Sequence, residues 1–164
     1  MTKITHQKPI ISLIAAIAKD GGIGKDNKLL FNIPEDLKYF HKVTKNHTVI
    51  MGYNTYNSIG KALPERRNIV LSRREIELPD ATVCKSLDEA VQEADSENEI
   101  FIIGGASVYE QSIKFADKLY LTLVDAVVPA DTFFPDYSEF DSVKVLGEGE
   151  SGELSYKFLE LTRS

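Results

Sequence analysis

Residues 29–40 read LLFNIPEDLKYF, and the rest of the chain is arranged about this stretch. The residue before a proline is pushed out of helical geometry, while proline fits the first helical position, so a helix is expected to begin at Ile33-Pro34. Asp36 then falls in the first turn. Helical spacing makes Ile33, Leu37, Phe40 and Val43 or Thr44 an inward stripe, with Asp36 beside it, one turn from Phe40. Two readings of that carboxylate stay open. It answers the helix dipole or caps a free N–H, or it lies at the floor of a cleft and accepts parallel hydrogen bonds from a flat, amidine-like ring edge.

Upstream, residues 10–18 (IISLIAAIA) are continuously apolar and rich in β-branched side chains, as in a central strand buried on both faces. Residues 19–30 (KDGGIGKDNKLL) read as a flexible glycine loop and a candidate lid, leading straight into the Asp36 helix. Downstream, residues 47–51 (HTVIM) form a second strand, and Gly52-Tyr53-Asn54-Thr55 start a short helix ending near Gly60. Strand, glycine, then helix leaves N–H groups free for a phosphate.

A charged turn, residues 64–67 (PERR), precedes a third strand over residues 68–71, which ends at Leu71 and delivers Ser72-Arg73-Arg74 at its carboxyl end. Open α/β sheets bind ligands beyond such ends. Residues 81–84 are a short strand, and Ser86 caps a helix that reaches about Ala94. Residues 99–103 (EIFII) run into Gly104-Gly105 and a helix over residues 106–113, and two glycines at that junction either let the backbone approach a ligand or serve only to make the sharp turn. Thr122 lies among apolar neighbours in the strand over residues 118–124, where its hydroxyl needs a partner. Residues 131–135 (DTFFP) are a loop, and residues 142–146 and 154–161 form an antiparallel hairpin around GEGESG. The pattern is that of an α/β domain over residues 10–164, with a mixed, mostly parallel sheet, about four helices and a C-terminal hairpin, after an extension over residues 1–9. GxGxxG is absent after the first strand, so the dinucleotide fold with that fingerprint is excluded.

At 164 residues and 43% hydrophobic content the chain can bury one substantial core. A net charge of -6 with no long basic block argues against nucleic acid or a polybasic membrane contact. Cys84 is the only cysteine, and with the three histidines it makes no zinc-ligand spacing, so a reducing, metal-free, cytoplasmic setting is expected. Neither a signal peptide nor a run of membrane-spanning length is seen.

Taken together, ISLIAAIA, IPEDLKYF, VIMGYNTYNSIGKALPERRNIVLSR, IFIIGGASVYEQ, KLYLT and DTFFPDY resemble the dihydrofolate reductase family in order and spacing. The resemblance implies hydride transfer from C4 of the NADPH nicotinamide to C6 of dihydrofolate, with a proton added at N5. It implies that Asp36 holds the 2-amino and N3 edge of the pterin with Thr122 at the same edge, that Ile14, Leu37, Phe40 and Ile59 enclose the substrate, and that Arg66 pairs with the α-carboxylate of its glutamate tail. For the cofactor it implies Ala16, Ile23 and Ile103 at the nicotinamide. Gly52, Tyr53, Asn54 and Thr55 on one side, and Gly104, Gly105, Ala106, Ser107, Val108 and Tyr109 on the other, would serve the phosphates. Leu71, Ser72, Arg73 and Lys85 would serve the adenosine end. It further implies a cis Gly104-Gly105 peptide, an Asp131 contact to the loop around Gly24, and a monomer. Three positions depart from the family: Phe31 stands for a tryptophan near the proton route, Leu30 for a proline, and Tyr53 for a basic residue at the 2′-phosphate.

Overall fold

In a computed structural model that describes residues 8–164, the apolar run at the start becomes β1 (Ile10–Ile17). A hairpin, β2 (Gly22–Lys25) and β3 (Lys28–Leu29), leads to α1 (Pro34–Thr44). There follow β4 (Thr48–Gly52), α2 (Tyr53–Ile59), β5 (Arg67–Leu71), β6 (Thr82–Cys84), α3 (Leu87–Glu93), β7 (Glu99–Ile102) and α4 (Ala106–Ser112). A short 3-10 turn, Ile113–Phe115, precedes β8 (Lys118–Val124), then β9 (Thr132–Phe133), β10 (Ser142–Ser151) and β11 (Leu154–Thr162). Most of the expected extension, residues 1–7, lies outside the described residues.

The main sheet runs β10-β11-β8-β1-β7-β4-β5-β6. Pairings from β8 to β6 are parallel, and β11 joins β8 and β10 antiparallel. Parallel strands covered by helices bury both faces. Alternate residues therefore enter different cores: Leu13, Ile50 and Ile102 pack with α3 and α4 residues such as Ala90 and Val108, whereas Ile14, Val49, Met51 and Phe101 pack with Tyr56, Phe40 and Val43. This is why β1, β4 and β7 read as continuous apolar runs. Truncating fully buried Leu13 to alanine would cost about 2–5 kcal/mol.

Three expectations are corrected. The glycine stretch over residues 19–30 is not an unstructured loop: β2 pairs antiparallel with β3 and with β9, so residues expected as two separate loops form one small sheet. The C-terminal hairpin is longer than expected, because Gly147 to Ser151 continue β10 after a bulge between Val145 and Gly147, and the chain reverses at Gly152 (φ +61°). The α1 stripe is divided: Ile33 and Thr44 are buried, but Leu37 is 54% exposed because it faces an open cleft.

Candidate active site

α1 begins where proline dictates, with Pro34 in its first turn and extended backbone at Ile33. No side chain caps the helix, so Asp36 is not spent as a cap. Its carboxylate instead meets β8, where the buried Thr122 hydroxyl donates to Asp36 Oδ1 at 2.6 Å. That answers the sequence question about Thr122's partner. Burial pushes the Asp36 carboxyl up from its ordinary value, and the Thr122 hydrogen bond pulls it partly back. A half-buried carboxylate with one oxygen taken still has acceptor sites for a flat donor edge.

Above Asp36 lies a cleft of about 1850 Å³ at the carboxyl ends of β1, β4, β5 and β7, which open on one edge because these strands run parallel. Ile14, Leu37, Phe40, Ile59, Arg66 and Thr122 all line it with Asp36. Phe31 stands beside Asp36 in a narrow side chamber with Leu29, Leu30 and Ile33, where its ring packs but offers no donor. Arg66 reaches the cleft over the Phe40 ring (5.7 Å), with Nε donating to the Pro64 carbonyl (2.9 Å) and Nη1 to Thr44 Oγ1 (3.1 Å). Three of its N–H groups stay available.

The other half of the cleft is built for an anion. Neither Gly52 nor Gly105, the residues before α2 and α4, has a side-chain cap, and the two helix starts approach one another. A Cβ on Gly105 would come within 3.4 Å of Thr55 Oγ1, and one on Gly52 within 3.3 Å of Val108. Tyr53, Asn54, Ala106, Ser107 and Val108 line this side, with Ala16, Ile23 and Ile103 between it and Asp36, and Leu71, Ser72, Arg73, Arg74 and Lys85 at the far end. Uncapped helix starts and clustered cations in a chain of net charge -6 fit the phosphates of NADPH.

Three of the expected cofactor residues also have structural ties. Gly104 is not on the cleft wall; it carries the turn, with φ +111° and a cis peptide to Gly105, and a Cβ there would strike the Tyr109 ring at about 3.1 Å. Tyr109 is buried at the wall with its hydroxyl donating to the Ile14 carbonyl (2.7 Å), and burial holds the phenol well above its ordinary range, so it stays neutral. Lys85 is already paired with Glu75 at 2.6 Å.

The hairpin over the glycine stretch is tied at two points. Asp131 Oδ2 accepts the Asp26 N–H (2.9 Å), while the Asp131 N–H donates to the Gly24 carbonyl (2.9 Å). A Cβ on Gly24 would sit 2.8 Å from Thr132 Oγ1 and 3.1 Å from the Lys28 carbonyl oxygen, so a side chain there would force the hairpin or Thr132 to shift. Across the cleft mouth, the Ser58 hydroxyl donates to the Asn27 carbonyl (2.7 Å). Asn27, Ser58 and Leu63 line the cleft without having been foreseen. For Ser58 the signal was present, since it follows Thr55 by three residues on one face of α2.

Comparison with known proteins agrees with this geometry. The sequence model of the family described as dihydrofolate reductase matches residues 10–163. The type 3 dihydrofolate reductase of Salmonella typhimurium is 45% identical over 78% of this chain and 80% of its own length. That of Bacillus subtilis is 38% identical over 92% of both chains. A solved structure of dihydrofolate reductase from Enterococcus faecalis, complexed with NADP(H) and RAB-propyl, aligns with a TM-score of 0.83 at 28% identity, covering 94% of this chain and 96% of that one. With its cleft, its carboxylate and its relatives in agreement, the chain belongs to the dihydrofolate reductase family.

Proposed function

We propose that the Asp36 cleft is where this NADPH-dependent reductase converts 7,8-dihydrofolate to 5,6,7,8-tetrahydrofolate. The observation that carries the assignment is the Thr122–Asp36 pair at the floor of an apolar cleft whose other half suits a dinucleotide phosphate. When bound, NADPH supplies the hydride that C6 of the pterin receives.

The chain's own residues do the rest. Asp36 holds the 2-amino and N3 edge of the ring, and a carboxylate so placed favours the protonated, more electrophilic pterin. Thr122 fixes the carboxylate's orientation. Ile14, Phe31, Leu37, Phe40 and Ile59 exclude water from the ring and the benzoyl group. Arg66 receives the α-carboxylate of the glutamate tail, where a planar guanidinium matches the geometry. Ala16, Ile23 and Ile103 flank the nicotinamide. With Tyr53 uncharged, Ser72, Arg73, Arg74 and Lys85, whose pair with Glu75 is solvent-exposed, recognise the 2′-phosphate.

Residues 10–164 form the catalytic unit and work as a monomer, since one chain supplies every group named. The buried free thiol of Cys84 suits a reducing cytoplasm. Among the described residues no helix is long and apolar enough to cross a membrane, and no cluster of His, Cys, Asp or Glu is arranged to hold a metal ion.

The test follows NADPH and NADH oxidation with dihydrofolate across pH, for the protein and for Asp36→Asn. Turnover should fall about 10²-fold or more in the variant near neutral pH and recover in part in acid, where the substrate arrives protonated. Absence of turnover with either cofactor would overturn the assignment.

A further inference from the structure

β5 contains a residue that a strand buried on both faces should not want. Asn68, followed by fully buried Ile69 and Val70, is itself only 5% exposed. Its amide is fully engaged with the preceding loop, residues 60–66: Oδ1 accepts the Leu63 N–H (2.8 Å), while Nδ2 donates to the Leu63 carbonyl (2.9 Å) and the Arg66 carbonyl (3.0 Å). Only one orientation of the amide satisfies all three. A carboxylate could not donate, and an isosteric leucine could do neither.

That loop carries both Leu63 and Arg66 to the cleft. Its shape is one the chain would not hold unaided, because Glu65 has φ +63°, a left-handed conformation that a side-chain-bearing residue rarely adopts. Arg66, in turn, takes its direction from the loop together with α1: its Nε rests on the Pro64 carbonyl and its Nη1 on Thr44 Oγ1. Moving Pro64 moves the guanidinium. A bidentate carboxylate contact tolerates little misplacement.

We propose that Asn68 is a positioning residue for substrate recognition: by clamping the backbone at Leu63 and Arg66 it aims the Arg66 guanidinium at the substrate's tail carboxylate. This rests on the reading of Arg66 as the tail ligand given above. Asn68 touches neither substrate nor cofactor and acts through Arg66.

The experiment compares two substrates, dihydrofolate and 6-methyl-7,8-dihydropterin, which keeps the ring and lacks the benzoylglutamate. Asn68→Ala should raise KM for dihydrofolate about tenfold, the loss expected when a charge-assisted hydrogen bond is misaligned, with kcat within about twofold. KM for the tail-less pterin and affinity for NADPH should not change. Arg66→Ala should show the same selectivity, and the double variant should be no worse than Arg66→Ala. Selective loss in Arg66→Ala, with equal or no losses on the two substrates in Asn68→Ala, overturns the proposal and leaves the tail reading standing. Equal losses on both substrates in Arg66→Ala overturn the tail reading and the proposal with it. If Asn68→Ala is too unstable to purify, Asn68→Ser, which adds no buried charge and breaks the three-point clamp, carries the same comparison.

Discussion

Thr122 and Asp36, 86 residues apart in sequence, meet at 2.6 Å with the hydroxyl donating to the carboxylate. The bond stabilises the ionised form, against burial, which favours the protonated one. Thr122→Val keeps the shape and deletes the donor. The Asp36 carboxyl should then titrate higher still, and the limb of the kcat/KM profile that it governs should move to higher pH. Stability should fall by about 1–3 kcal/mol at neutral pH, as a half-buried carboxylate loses its partner. A pH–rate series and a denaturant melt check both.

The raised Asp36 pKa also fixes a sign for stability. Below the ordinary carboxylate range both the folded and the unfolded protein hold this proton. As pH rises the unfolded chain ionises first, so Asp36 makes the protein progressively less stable until the folded carboxyl has ionised as well. Asp36→Asn removes that dependence. Its melting temperature relative to the parent should therefore climb from acid to neutral pH and then level off, as thermal melts across about pH 3 to 8 would record.

Asp131→Ala removes the acceptor for the Asp26 N–H and loosens the hairpin that covers the cleft. NADPH should dissociate faster and kcat should fall by about tenfold, with little change in the melting temperature because the contact is exposed. Asp131→Asn, which keeps an acceptor oxygen, should restore most of the loss. Stopped-flow release of NADPH separates the two variants.

Arg73→Ala tests the choice of cofactor. On the proposed reading Tyr53 carries no charge, so Arg73 would bear a large share of the 2′-phosphate contact beside Arg74 and Lys85. KM for NADPH should rise about tenfold while KM for NADH stays level. Steady-state rates with the two cofactors decide it.

The parallel strands were legible because burial on both faces writes itself as unbroken runs such as ISLIAAI, and α1 because Pro34 marks its start. The lid sheet was not. β3 and β9 have two residues each, all exposed, too short for a period-two pattern to register. Gly147 and Gly149 misled for the opposite reason: they suggested a turn, yet they lie within β10, where a Cβ on Gly149 would collide with the Tyr156 ring across the pair. Asp36 and Thr122 could be named from residue type and resemblance, but their hydrogen bond needs the α1–β8 contact. Asn68 gave no signal, since the backbone groups it satisfies become visible only when the loop takes shape.

β1 is the first strand among the described residues, yet its neighbours are among the later ones: Ile10 lies beside Glu99, and Ser12 beside Lys118. During synthesis the strand that becomes the sheet's middle must wait, with its apolar faces uncovered, until most of the chain has left the ribosome. Pairings of such long sequence separation are slow to form and leave sticky segments open to the wrong partners. A nascent chain stopped before β8 would have Asp36 but no hydroxyl to meet it. Aggregation and chaperone dependence should thus be set by how fast the second half of the chain is delivered, more than by the stability of the finished fold.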